Sequence, residues 1–212
     1  MPTKFLSLLI LFALSLNAIA AQKAITDEGQ VVILNSDHTW QFENSKSNLS
    51  SNSTLNSKKF YKTSSQSFKV KASPTTMGVF IDASKWTFSK DKDNSNRLSF
   101  RSKISANSDI YAMVIPEGIE IEYESLAEIA LENAKEVAAD TKIITKEYRY
   151  VNGFKVLFMV MEGTAKTIKF KYAGYYATNK SGTVQVVVYS SSNIVDAKMP
   201  ESEEFLNGFV GN

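Results

Sequence analysis

Between Lys142 and Ser191 apolar and polar residues alternate with a period of two, the spacing of a β-strand. Val156, Phe158 and Val160 interleave with Leu157, Met159 and Met161, so both faces of this one strand are apolar. A strand of that kind sits centrally in a sheet covered on both sides. Asn152-Gly153 separates two apolar runs, and both residues tolerate positive φ, which marks a tight hairpin. Asn179-Lys180-Ser181-Gly182 supplies a second, looser turn. The pattern predicts a four-stranded antiparallel meander over 142–151, 154–163, 167–178 and 183–191.

Short strands are predicted upstream at Phe68-Lys69-Val70-Lys71, Val79-Phe80-Ile81, Trp86-Thr87-Phe88, Leu98-Ser99-Phe100 and from Ile110 to Ile115. Ser125-Leu126-Ala127-Glu128 has the form of a capping box, in which the serine hydroxyl and the glutamate satisfy each other's end of the first turn. Leu126, Ile129, Ala130, Ala134 and Val137 follow at helical spacing, with Glu128, Glu132 and Glu136 opposite, and the helix is expected to end near Asp140. Its apolar face is expected to lie across the meander. A last helix opens at Pro200, with Glu201, Glu203 and Glu204 at its positive end, and buries Phe205, Leu206 and Phe209. The fold class is α+β: an antiparallel meander flanked by helices, over residues 68–212.

Three segments precede that domain. Residues 1–20 read as a secretory signal peptide: Lys4, an apolar stretch from Phe5 to Leu16, then Ala18-Ile19-Ala20 for cleavage after Ala20. The apolar stretch is too short to cross a ~30 Å hydrocarbon core, so no stable membrane insertion is expected after cleavage, and the location is periplasmic or secreted. Residues 21–43 form a short β unit too small to fold alone, in which His38 reads as a solvent-facing turn histidine. Residues 44–67, rich in Ser, Asn and Lys, read as a linker.

Composition narrows the chemistry. Cysteine is absent, which removes disulfides and thiolate chemistry, and one histidine precludes a two-histidine metal site. The formal charge of +2 gives no electrostatic case for nucleic acid. Asp91 to Asn96 begins like a calcium loop but has Asn96 in the glycine place and Ser102 in the glutamate place, so it reads as a solvated hairpin loop. Glu117, Glu120, Glu122 and Glu124 are close in sequence, the raw material of a carboxylate-dependent hydrolase; their plainer reading is a solvated edge leading into the helix. No phosphate-binding glycine loop and no nucleophile elbow is present. No catalytic residue, metal or cofactor is predicted, and the chain is not expected to be an enzyme.

Residues 68–210, about two-thirds of the chain, resemble the Mog1/PsbP-like superfamily, particularly its exported bacterial members. The resemblance is carried by Gly78-Val79-Phe80-Ile81 with Lys85-Trp86, by Ser125-Leu126-Ala127-Glu128-Ile129-Ala130, and by Val151-Asn152-Gly153. Gly174-Tyr175-Tyr176 and Phe205-Leu206-Asn207-Gly208-Phe209 complete it. Many members have a proline shortly before the tryptophan, where this chain reads Ala83-Ser84-Lys85. The resemblance implies an α/β/α sandwich and a module that binds proteins or small ligands without turnover. Two partners stay open: an envelope protein docked onto an accessory module, or a small apolar or amphipathic ligand held between sheet and helix. The residues proposed for binding are Lys166, Lys169 and Lys171, a basic strip, with Tyr175 and Tyr176 further along the same strand.

Overall fold

Burying both faces of one strand takes a layer on each side, and the chain builds both. The structure, a computed structural model, describes residues 22–26, 30–36, 38–42, 53–90, 96–103 and 110–212. The expected signal peptide and the loop core at 91–95 lie outside the described residues. In chain order the elements are β1 (Gln22–Ile25), β2 (Val31–Leu34), β3 (Trp40–Phe42), β4 (Thr54–Phe60), β5 (Phe68–Lys71) and β6 (Gly78–Ile81). Then come β7 (Trp86–Lys90), β8 (Leu98–Ser102), β9 (Tyr111–Glu117), α1 (Tyr123–Val137), β10 (Lys142–Val151) and β11 (Phe154–Ala165). The chain closes with β12 (Ile168–Asn179), β13 (Gly182–Ser191), α2 (Ser192–Ala197), α3 (Met199–Asn207) and β14 (Phe209–Val210).

The central sheet has eight strands in the order β4-β10-β11-β12-β13-β9-β8-β7, flanked by a three-stranded sheet of order β14-β6-β5. The fold is α+β with helices on both sheet faces, as the alternating pattern and the resemblance led us to expect. On one face Leu126, Ala127 and Ala130 of α1 meet Leu157 and Met159 of β11, Tyr176 of β12 and Val187 of β13. On the other, Val156, Phe158 and Val160 of β11 share a core with Val79 and Ile81 of β6 and with Phe205 and Leu206 of α3. The Phe205 ring anchors that side, 4.4 Å from Trp86 and 5.2 Å from Phe100 between centroids. Asn152 (φ 48°) and Gly153 (φ 84°) turn the hairpin as their left-handed tolerance allows. Asn152 does more than turn: its Nδ2 donates to the carbonyls of Asn207 (2.8 Å) and Phe209 (2.6 Å), and its Oδ1 accepts from the Lys62 amide (3.0 Å).

Four sequence expectations are corrected. The sheet is mixed, because β4 pairs parallel with β10. That strand lies inside the stretch read as a linker: its side chains are mostly exposed, so its composition looks disordered, yet Phe60 enters the core. Gln66 is likewise buried, donating to the Glu204 carbonyl (2.7 Å) and accepting from the Thr63 amide (2.9 Å). Phe209 is buried in β14, past the end of α3, rather than in the helix. Finally, α1 begins at Tyr123 with Glu122 at the N-cap and no side-chain cap, which puts Ser125 inside the first turn. Ser125→Ala should therefore change stability by no more than about 0.5 kcal/mol, where a true cap would lose about 1 kcal/mol. Urea denaturation distinguishes the two.

The N-terminal sheet, order β1-β2-β3, is antiparallel throughout. Ile25, the cross-strand partner of the buried Val31, packs on the α1-side core, so the unit touches the main domain through Ile25. His38 is exposed, with φ 66°, in the turn between β2 and β3.

Candidate functional site

The buried face of α1 is made largely of alanine: Ala127, Ala130 and Ala134 beside Leu126. Small side chains at successive turns leave space between a helix and the sheet below it. Toward β9 that space is a groove of about 240 Å³. Ala130, Asn133, Ala134 and Val137 form its helical wall, and Met113, Ile115, Met161, Tyr172 and Val187 most of its floor. Gln185 and Tyr176 complete the floor, and Arg97 stands at the sheet side.

Gln185 and Tyr176 decide what the groove can do. They are cross-strand partners on β13 and β12, so their side chains leave the sheet together on the α1 face. Gln185 is 8% exposed and Tyr176 1% exposed, yet among the described residues neither side chain has a hydrogen-bond partner. Their polar atoms are also not among those sealed from solvent. Both polar ends therefore open into the groove, where water or a polar group of a ligand meets them. Burial holds the Tyr176 phenol well above its usual range and raises that of Tyr172, so both stay neutral hydroxyls. Arg97 precedes β8 by one residue. Continuing the Leu98–Val114 register by one step sets it beside Ile115, which itself pairs with Gln185. Arg97, Ile115, Gln185 and Tyr176 thus form one row across four strands. Arg97 is the one charged side chain among the described lining residues.

The five residues proposed from sequence do not form one surface. Lys166 (φ 57°) lies in the turn between β11 and β12 and is exposed, as is Lys169. Lys171 is 8% exposed, its Nζ held by Asp196 at 2.6 and 2.7 Å and by Glu162 at 3.6 Å, which fixes α2 to the sheet. Its ammonium pKa is raised, chiefly by the Asp196 hydrogen bond. Tyr175 and Tyr176 are successive residues, so they point to opposite faces, and both faces are covered there. Tyr175 is locked by donation to Asn207 Oδ1 at 2.8 Å, and burial pushes its phenol up to about 12. The glutamate stripe of α1 is on the far face from Lys171 and does not meet it.

The four carboxylates also fall differently. Glu120 and Glu122 lie in the turn before α1, and Glu124 is in its first turn, bonded to Lys146 and, at 3.1 Å, to the Tyr148 hydroxyl. All four are exposed. Among the described residues no three His, Cys, Asp or Glu side chains stand together as a metal site. Gln185 carried a signal: it is the lone amide in the run Val184-Gln185-Val186-Val187-Val188. Arg97 carried none without strand register.

No family model and no curated protein matches the chain. Among solved structures it is similar to a protein of unknown function from Pseudomonas aeruginosa described as a putative regulator, with 8% identity, 60% of this chain and 98% of that one covered, and a TM-score of 0.48. It is also similar to cyanobacterial PsbP from Synechocystis sp. PCC 6803, with 9% identity, 68% and 91% covered, and a TM-score of 0.48. A third is LpqN, involved in cell envelope biogenesis of Mycobacterium tuberculosis, with 9% identity, 68% and 88% covered, and a TM-score of 0.48.

Proposed function

We propose that the protein is an exported, non-catalytic binding module that holds a small apolar or amphipathic ligand between α1 and the sheet. The observation that carries this reading is the apolar groove under α1, in whose floor Gln185 and Tyr176 hold polar groups with no hydrogen-bond partner among the described residues. Ligand sites are concave and mostly apolar, with few polar groups that fix orientation. Export rests on the N-terminal pattern of Lys4, the apolar stretch and Ala18-Ile19-Ala20. No described helix is long and apolar enough to cross a membrane. Docking of an envelope protein through the lysine–tyrosine strip has less support, because Lys171, Tyr175 and Tyr176 are buried.

Titration with the neutral fluorescent probe N-phenyl-1-naphthylamine tests the reading. Wild type should bind it saturably. Ala134→Phe, which fills the groove from the helix, should weaken binding at least about tenfold while far-UV circular dichroism stays native; overpacking of this kind costs about 1–3 kcal/mol. Lys169→Glu should leave binding unchanged. Absence of saturable binding, or equal binding by Ala134→Phe, would overturn the proposal.

A further inference from the structure

We infer that the groove selects amphipathic carboxylates, a short alkyl chain lying on the apolar floor and its head group on the row Arg97–Gln185–Tyr176. This deepens the proposed function and rests on it. The inventory of groups is the warrant. Among the described lining residues the one charged group is a guanidinium, whose fork of N–H donors suits the oxygens of an anion. The Gln185 amide carries two N–H donors and the neutral Tyr176 hydroxyl one, and neither is used within the described fold. Arg97 already takes part in an interaction of the fold. Its guanidinium has five donors in a fixed fork, enough to keep that contact and meet a carboxylate as well. Three donor groups set in one row of the sheet suit an acceptor-only head with two oxygens better than an alcohol or an amine.

Apart from Asn133 and Tyr172, the rest of the lining is apolar and sets the tail. Met113, Ile115, Ala130, Ala134, Met161 and Val187 offer no hydrogen bonds from their side chains. Methionine is the most adaptable of apolar side chains, and two of them line this short groove. The volume of about 240 Å³ is below the ~300–1,000 Å³ of drug-sized sites. A medium-chain fatty acid supplies such a tail and head, and octanoate serves as the probe.

Displacement of the naphthylamine probe by octanoate and by 1-octanol at pH 7.5 tests the assignment, since the two differ only in the head group. Octanoate should bind wild type about tenfold more tightly than octanol or better, the ordinary gain of a charge-assisted bond over a neutral one. Arg97→Gln should erase most of that ratio without changing octanol binding, and Gln185→Leu should reduce it by several-fold while retaining probe binding. Equal wild-type affinities, or a ratio untouched by Arg97→Gln, would overturn the head-group assignment and leave the groove standing. Failure of the probe itself to bind would overturn the groove and this inference with it. Preferential displacement by an uncharged apolar peptide over octanoate would show a peptide site and overturn the carboxylate assignment.

Discussion

Val186→Asp is expected to yield no folded protein. Val186 is 0% exposed on β13, the fifth of eight strands, and it faces the larger core. Its cross-strand partners on that face are Tyr175 and Val114, neither of which can pair with a carboxylate's charge. An unpaired ion there costs several kcal/mol even after relaxation, which approaches the whole stability of a domain, about 5–15 kcal/mol. The same change at Val156 is a weaker test, because Arg149 is its cross-strand partner. A cooperative melt within a few degrees of wild type for Val186→Asp would refute the placement of β13.

The second large effect concerns Arg149 itself, expected to lose about 3 kcal/mol when changed to alanine. The residue is 7% exposed, and its guanidinium lies over Phe158 (3.6 Å to the ring centroid) and Phe60 (4.5 Å). It donates to Glu147 at 2.5 Å, to Glu203 at 3.1 Å and to the Tyr175 hydroxyl at 3.4 Å. One guanidinium thus joins β4, β10, β11, β12 and α3. Removing one partner of a buried ion pair costs about 3–5 kcal/mol. The lower end applies because Glu147 and Glu203 keep 20% and 32% of their side-chain surface. Arg149→Lys should recover little, since an ammonium has neither the planar stack nor the fork. Urea denaturation showing a loss under about 1 kcal/mol for Arg149→Ala would mean that the stack and the ion pairs contribute little.

Much of the sheet was legible because its signals are local. Period-two alternation and Asn152-Gly153 place all four meander strands within two residues of their observed ends. What escaped has non-local causes. β4 is an edge strand exposed over most of its length, so composition alone cannot separate it from the Ser/Asn-rich text before it. The start of α1 was misplaced because Ser125 and Glu128 mimic a cap, whereas Tyr123 and Glu124 are held by the sheet: the Tyr123 hydroxyl donates to the Lys155 carbonyl at 2.7 Å, and Glu124 bonds Lys146. The separation of Tyr175 from Tyr176 follows from alternation and could have been read directly. The row Arg97–Ile115–Gln185–Tyr176 could not, because it depends on the register of four strands that are far apart in sequence.

The pairing of β4 with β10 sets an order of assembly. Asn56 and Glu147, bonded across that pair, are 91 residues apart, and β6 completes its small sheet with β14 at residues 209–210. Contacts of such span form late, after the local hairpins have met. A chain halted before residue 142 holds strands for both sheets but lacks the partner of β4 and the closing strand of β6. Neither the eight-stranded sheet nor the small sheet around β6 can therefore close until the last third is available.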